Sequence, residues 1–182
     1  MAKKKLLGVK ILEHKITAML KGFGIDKAEL GTNYLYWRDT GTGAKVTFKV
    51  TADEDDELFN EFITEKFGDI IDIQPTTSFA FVLSLLHEVG HHMTDELLDE
   101  EEYEKCEKEV DKIEAILTDE SIELSPQKYK EYQYRYFNVK NELMATTWAV
   151  EYIQEHPFMV SQMIKESEKA LQEFYKVNNV KE

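Results

Sequence analysis

Two histidines four residues apart, His87 and His91 in "LLHEVGHH", flank a glutamate, Glu88, in a chain with only 5 histidines. On a helix, positions i and i+4 lie about 6 Å apart along the axis and on nearly the same face, so both imidazoles can converge on one cation. Zinc suits them. It takes neutral imidazole, carries no redox demand, and in hydrolytic sites leaves one of its positions open for water. Such a cation brings the pKa of a bound water toward ~7, and Glu88, beside the first ligand, is placed to take its proton and pass it to a leaving amine. The alternative is a histidine pair satisfied on a helix face, with Glu88 in ordinary surface ion pairs. Gly90 weighs against that alternative. An interior helix glycine costs about 0.5 to 1 kcal/mol relative to alanine and is best explained by close approach of another element or a ligand.

A catalytic zinc needs a third protein ligand. His92 points about 100° away from His91 and reads as exposed or as a support behind the ligands. Asp95 shares the face of His91 but lies too far along a straight helix to join the same ion; it reads as a supporting carboxylate. Glu142, in "NELMATTWAVEYI", has Leu143, Ala145, Ala149 and Ile153 around it. A carboxylate in such a setting requires a partner, which zinc would supply, whereas an exposed residue at the helix edge would require none. Small Ala145 and Thr146 allow another helix to pack closely. His156, about 21 Å further along, is out of reach, and His14 reads as a surface histidine. "YKEYQYRYF", residues 129–137, offers hydroxyls for oxyanion stabilisation, but tyrosines at helical spacing usually pack, and none is nominated.

These residues need elements to hold them. Leu6, Val9, Leu12, Ile16, Met19 and Leu20 recur at three- and four-residue steps, predicting an amphipathic helix over 5–21 that "GFG" ends. "TNYLYWRDTGTGAKVTFKVT" reads as two strands around a turn, an antiparallel hairpin. Its "KVTFKVT" arm offers an edge for a substrate strand, or an edge blunted by lysines. Residues 53–67 predict a short helix stopped at Gly68, and "DIIDI", 69–73, a short strand. After a cap at Thr76, Thr77 or Ser78, the apolar spacing of Val82, Leu85, Leu86, Val89 and Met93 predicts a helix to about 98 with the histidine motif in its middle. A polar helix over 100–117, striped by Tyr103, Cys106, Val110, Ile113 and Leu117, reads as one arm of a helical hairpin. Ser125 caps and Pro126 opens a long helix to about 155, ended by Pro157, and a last helix covers about 158–176.

Composition narrows the class. A chain of 182 residues suits one domain that buries roughly 70% of its unfolded surface. The 42% hydrophobic content predicts a packed core, and 32% charged residues are unlike a membrane protein. No stretch approaches the ~20 apolar residues of a spanning helix. The basic start "MAKKKLLGVKILEHK" is interrupted by Lys10, Glu13 and His14, unlike a signal-peptide core. Cys106 is the single cysteine, which rules out an intramolecular disulfide and an all-thiolate metal site, and a reducing cytoplasm fits best. A net charge of -14 opposes polyanions, so nucleic acid is not expected as a direct partner. The excess is concentrated over 95–123, where fourteen acidic residues face only Lys105, Lys108 and Lys112. That stretch reads first as a solvated helix face and second as an acidic docking surface.

Taken together, "HEVGHH" and "ELMATTWAVEYI" resemble the small intracellular gluzincin-like metallopeptidases of the ImmA/IrrE type. In these an H-E-x-G-H helix is followed by one carrying a glutamate ahead of an Ala and an aromatic-Ala pair. His87, Glu88, Gly90 and His91 match the first element, and Glu142, Ala145, Trp148 and Ala149 the second. The resemblance implies a zincin core of small sheet, active-site helix and glutamate helix, and a zinc peptidase activity, often on regulatory proteins of mobile elements. The expectation is one α+β, mostly helical, zincin-like metallopeptidase domain over 1–182, with a small antiparallel sheet and an acidic helical insertion at about 99–125. Its function would be a cytoplasmic, Zn2+-dependent hydrolysis of a protein or peptide substrate, such as a regulatory protein, without membrane or nucleic-acid partners. His87, His91 and Glu142 would hold the metal and Glu88 would activate water. A non-catalytic zincin-fold binding protein, an anti-repressor or inhibitor using its acidic surface, is the competing expectation. A helical scaffold without metal is a third.

Overall fold

A computed structural model of the chain describes residues 2–31, 36–39, 43–50, 54–68, 77–119 and 121–178. The strand expected at 69–73 and a cap at residue 76 lie outside these. The architecture is α+β and mostly helical, with seven α-helices and three strands among the described residues. Helix α1 (Ala2–Leu20) buries Leu12, Ile16 and Leu20 completely or nearly so, at the spacing the sequence predicts. Gly24 ends it in the left-handed conformation, φ 84°, where a side chain is disfavoured. That turn sends the chain back as β1 (Ile25–Leu30) along α1, whose Thr17 Oγ1 and Glu13 Oε1 accept from the amides of Ala28 at 2.8 Å and Leu30 at 3.0 Å.

The sheet is mixed, and this corrects the expected antiparallel one. Strands β2 (Tyr36–Asp39) and β3 (Ala44–Phe48) form the predicted antiparallel hairpin, but β1 adds to the far side of β3 in parallel, giving the order β1-β3-β2. Strand β3 is therefore central and buried, with Val46 and Phe48 at 0% exposure. Its backbone is paired on both sides, so residues 45–47 of "KVTFKVT" offer no free edge to a substrate strand. The outer strands are β1 and β2.

Helix α2 (Glu54–Phe67) stops at Gly68, φ 77°, as expected, and packs Phe59, Phe62 and Ile63 inward. Helix α3 (Thr77–Thr94) runs through the middle of the molecule between the sheet and helices α6 (Lys140–Glu155) and α7 (Pro157–Asn178). Its Val82, Leu85, Leu86 and Val89 are wholly buried, each contributing about 1.5 to 3 kcal/mol by leaving water. A short 3-10 turn at Asp95–Leu97 ends it, earlier than the predicted 98.

Helix α4 (Glu100–Leu117) is the acidic one. The Asp99 carboxylate accepts from the Glu102 amide at 2.8 Å, and Glu100, Glu101 and Glu102 complement the positive end of the helix dipole. It packs against α5 (Pro126–Phe137), capped by Ser125 as expected. A second correction follows. The single helix predicted from 126 to 155 is two, because the chain leaves helical geometry at Val139, ψ 140°. Asn138 caps α5, its Nδ2 donating to the Tyr134 carbonyl at 2.7 Å, and Val139 inserts beside Cys106 and Ile113 of α4. Burying a valine against α4 favours the bend, which no Gly or Pro announces. No described helix is long and apolar enough to cross a membrane.

Candidate metal centre

The bend after α5 places Glu142 in the first turn of α6, where backbone amides favour a negative group, and aims it at α3. Helices α3 and α6 cross closely because of Gly90. A Cβ there would lie 2.9 Å from the Ala145 Cα and nearer still to its carbonyl oxygen. The sequence expectation of a close neighbour at Gly90 thus finds its partner, the backbone of Ala145.

Across this crossing the structure brings His87, His91 and Glu142 together. The two Nε2 atoms are 3.2 Å apart, and Glu142 Oε2 lies 3.3 Å from that of His87 and 3.4 Å from that of His91. The three atoms form a nearly equilateral triangle. A tetrahedral ion with bonds of about 2.0 to 2.1 Å has ligand–ligand edges of about 3.3 to 3.4 Å, so the triangle fits one face of such a site. The tautomer fits too. Thr146 Oγ1 donates to the Glu142 carbonyl at 2.9 Å and stands 3.1 Å from His87 Nδ1, which must donate to it. His87 is thereby left with a lone pair on Nε2, the atom in the triangle. Phe59 packs edge-on against the His87 ring at 5.2 Å and holds its plane.

Electrostatics describe the same cluster as a charge trap. Burial works against a protonated His91, but the Glu142 carboxylate, with Glu88 and Asp95 behind it, overcomes that and pushes its pKa up to about 9. Burial likewise works against an ionised Glu142, yet the two imidazoles hold its carboxyl well below the usual range. Without a metal, a proton shared with His91 serves as the cation this carboxylate requires.

Glu88, 5% exposed, is not one of the three donors; it neighbours His91 and lines two cavities at the site. The larger, about 720 Å³, runs between α2, α3, α4 and α5. In its wall Asp55 accepts from Tyr129 Oη at 2.6 Å and Gln133 Nε2 at 2.8 Å. The smaller, about 180 Å³, lies between the end of α3, α4 and the start of α6. Tyr136 lines both, and burial together with Glu142, Glu88 and Glu114 keeps its hydroxyl protonated far above the ordinary range.

Comparison with protein-family models, characterised proteins and solved structures finds no match to this chain. The remaining sequence candidates fall outside the triangle. His92 faces the Gly24 turn, where a Cβ on that glycine would meet its Nε2 at 3.1 Å. Asp95 stands behind His91 at the smaller cavity. His14 and His156 are exposed, the latter against Tyr152 at 4.5 Å. Three residues at the site were not nominated from the sequence: Thr146 was read only as a small packing residue, Tyr136 as one tyrosine of a helical stripe, and Asn141 was not singled out. The acidic helix is not merely solvated, since Tyr103, Glu107, Val110 and Glu114 of α4 wall the two cavities.

Proposed function

We propose that the protein is a zinc-dependent metallopeptidase acting on a protein or peptide substrate in the cytoplasm, with the zincin-like core that its ImmA/IrrE-type motifs imply. The observation that carries this reading is the triangle of His87 Nε2, His91 Nε2 and Glu142 Oε2, with the Glu88 carboxylate beside it at the junction of two cavities. When bound, zinc supplies Lewis acidity toward a carbonyl oxygen and acidifies a water in its open position.

The chain's own groups do the rest. His87 is fixed through its Nδ1–H to Thr146, so its Nε2 keeps a free lone pair and would hold the ion. Glu88 takes a proton from the attacking water on its carboxylate and returns it to the nitrogen of the departing amine. Tyr136 offers an O–H donor at the junction of the cavities for the oxygen of the scissile carbonyl. The larger cavity is roomy enough for an extended segment of chain. His87 and Glu88 are part of its lining, which would place that segment at the site.

The test is Glu88→Gln in protein purified without chelator. Stoichiometric zinc should remain and peptide hydrolysis should fall about 10²- to 10⁴-fold, the usual worth of a positioned proton carrier. Protein that carries no zinc overturns the reading. A variant that holds zinc and retains its cellular effect would turn it into a binding protein.

A further inference from the structure

The smaller cavity has a composition that the hydrolytic reading leaves unexplained. Its wall holds four carboxylates, Asp95 and Glu107 beside Glu88 and Glu142, against one group able to carry positive charge, His91, and no Lys or Arg is among its lining residues. Burial and the nearby charges of Asp111 and Glu142 push the Glu107 carboxyl above its ordinary range, against the opposing pull of His91 and Tyr103. Even a dication on the three ligands balances only two of these four carboxylates.

An independent observation points to a donor. Asn141, 8% exposed, lines this cavity, and its Oδ1 is buried without a hydrogen-bond partner. Buried acceptors are almost always satisfied, and one left over at a cavity wall marks where an N–H arrives. Leu98, Val110 and the ring of Tyr103 supply the apolar part of the wall. A void of ~150 Å³ holds a benzene-sized group, so about 180 Å³ holds one side chain. Lysine and arginine have the matching build, an apolar stem under a head made only of N–H donors.

Resting on the metallopeptidase reading, we propose that this cavity is the pocket for a lysine or arginine side chain next to the scissile bond. Asp95 and Glu107 take its charge, Asn141 Oδ1 accepts one of its N–H groups, and Leu98, Val110 and Tyr103 cover its stem. The substrate is thus a basic segment of chain, and an acidic residue at that position is excluded by like charge.

Internally quenched peptides carrying Lys, Arg, norleucine or Glu at each position flanking the cleaved bond test this with the zinc-loaded full chain. Lys and Arg should raise kcat/KM at least about tenfold over norleucine, the worth of one hydrogen-bonded charge, and Glu peptides should resist cleavage. Glu107→Gln combined with Asn141→Leu should bring the Lys-to-norleucine ratio close to one, with circular dichroism and zinc content checking that the variant folds. Binding gives a readout that needs neither hydrolysis nor those variants. On zinc-loaded Glu88→Gln protein, acetyl-lysine amide should bind about tenfold more tightly than acetyl-norleucine amide by calorimetric titration. Equal cleavage of the Lys and norleucine peptides, or equal binding of the two amides, overturns the pocket. No cleavage of any peptide with preferential binding of the lysine probe overturns the hydrolase and leaves the pocket standing.

Discussion

Thr146 is the smallest group with a large role at the centre. Its hydroxyl hydrogen is committed to the Glu142 carbonyl, so it presents only a lone pair to His87 Nδ1 and fixes which imidazole nitrogen faces the triangle. Thr146→Val keeps the shape and removes the acceptor. Zinc affinity should fall about 10- to 100-fold, read by competition with a chromophoric chelator; an unchanged affinity would remove Thr146 from the orienting role. His91 makes a prediction about pH. In metal-free protein its folded pKa is about 9 against an ordinary 6.5, so its stabilising contribution is full below about pH 6.5 and is lost as pH rises through 9. Glu142 acts with the opposite sign: its carboxyl is depressed, so its contribution is present above about pH 4.5 and disappears as pH falls through the lower folded value. The thermal midpoint of metal-free protein should therefore drop between pH 6.5 and 9, and His91→Gln should flatten that drop. A drop of equal size in the variant would place the titration elsewhere. At this scale His87, Glu88 and His91 were legible because their relation is local, set by helix geometry alone. Asn141, Tyr136 and Thr146 were not, since their roles depend on how α5 and α6 turn.

Among the elements, the α3–α6 crossing carries the site. Gly90 permits it, and Gly90→Ala would drive a methyl into the Ala145 backbone, which cannot rotate away. The variant should lose about 1 to 3 kcal/mol in urea unfolding and bind zinc more weakly, because parting the helices withdraws Glu142 from the histidines. A stable variant with unaltered zinc affinity would mean that the helices adjust at no cost. Helix α3 was readable from its apolar spacing and α4 from its charge pattern and stripe. Strand β1 was not: its register shifts between Ile25 and Lys27, so buried Ile25 and Ala28 are three residues apart and the alternation of a strand never appears in the sequence. The break at Asn138 and Val139 was hidden for another reason. Its cause is a tertiary contact, Val139 against Cys106 and Ile113, rather than a residue that stops helices. Without that break, Glu142 would not sit in a first turn.

For the molecule as a whole, charge and core are separated in space. The acidic stretch lies mostly on α4, clamped to its neighbours by exposed pairs such as Lys140–Glu102 at 2.5 Å and Arg135–Glu109, while the apolar interior gathers on the other side of α3. Composition conveyed the existence of both but not that the acidic helix walls the cavities. Helix α3 belongs to the two regions at once. One side supplies His87, Glu88 and His91, and the other buries Val82, Leu85 and Leu86 in the interior. Dialysis against a strong chelator should therefore leave the far-ultraviolet circular dichroism unchanged, where a zinc finger would unravel. Returning zinc should restore hydrolysis within the mixing time, and a slow recovery that tracks refolding would contradict this. If the chain is the zinc enzyme proposed above, a cell that starves it of metal would silence it without destroying it, and the stock would resume work as soon as the ion came back.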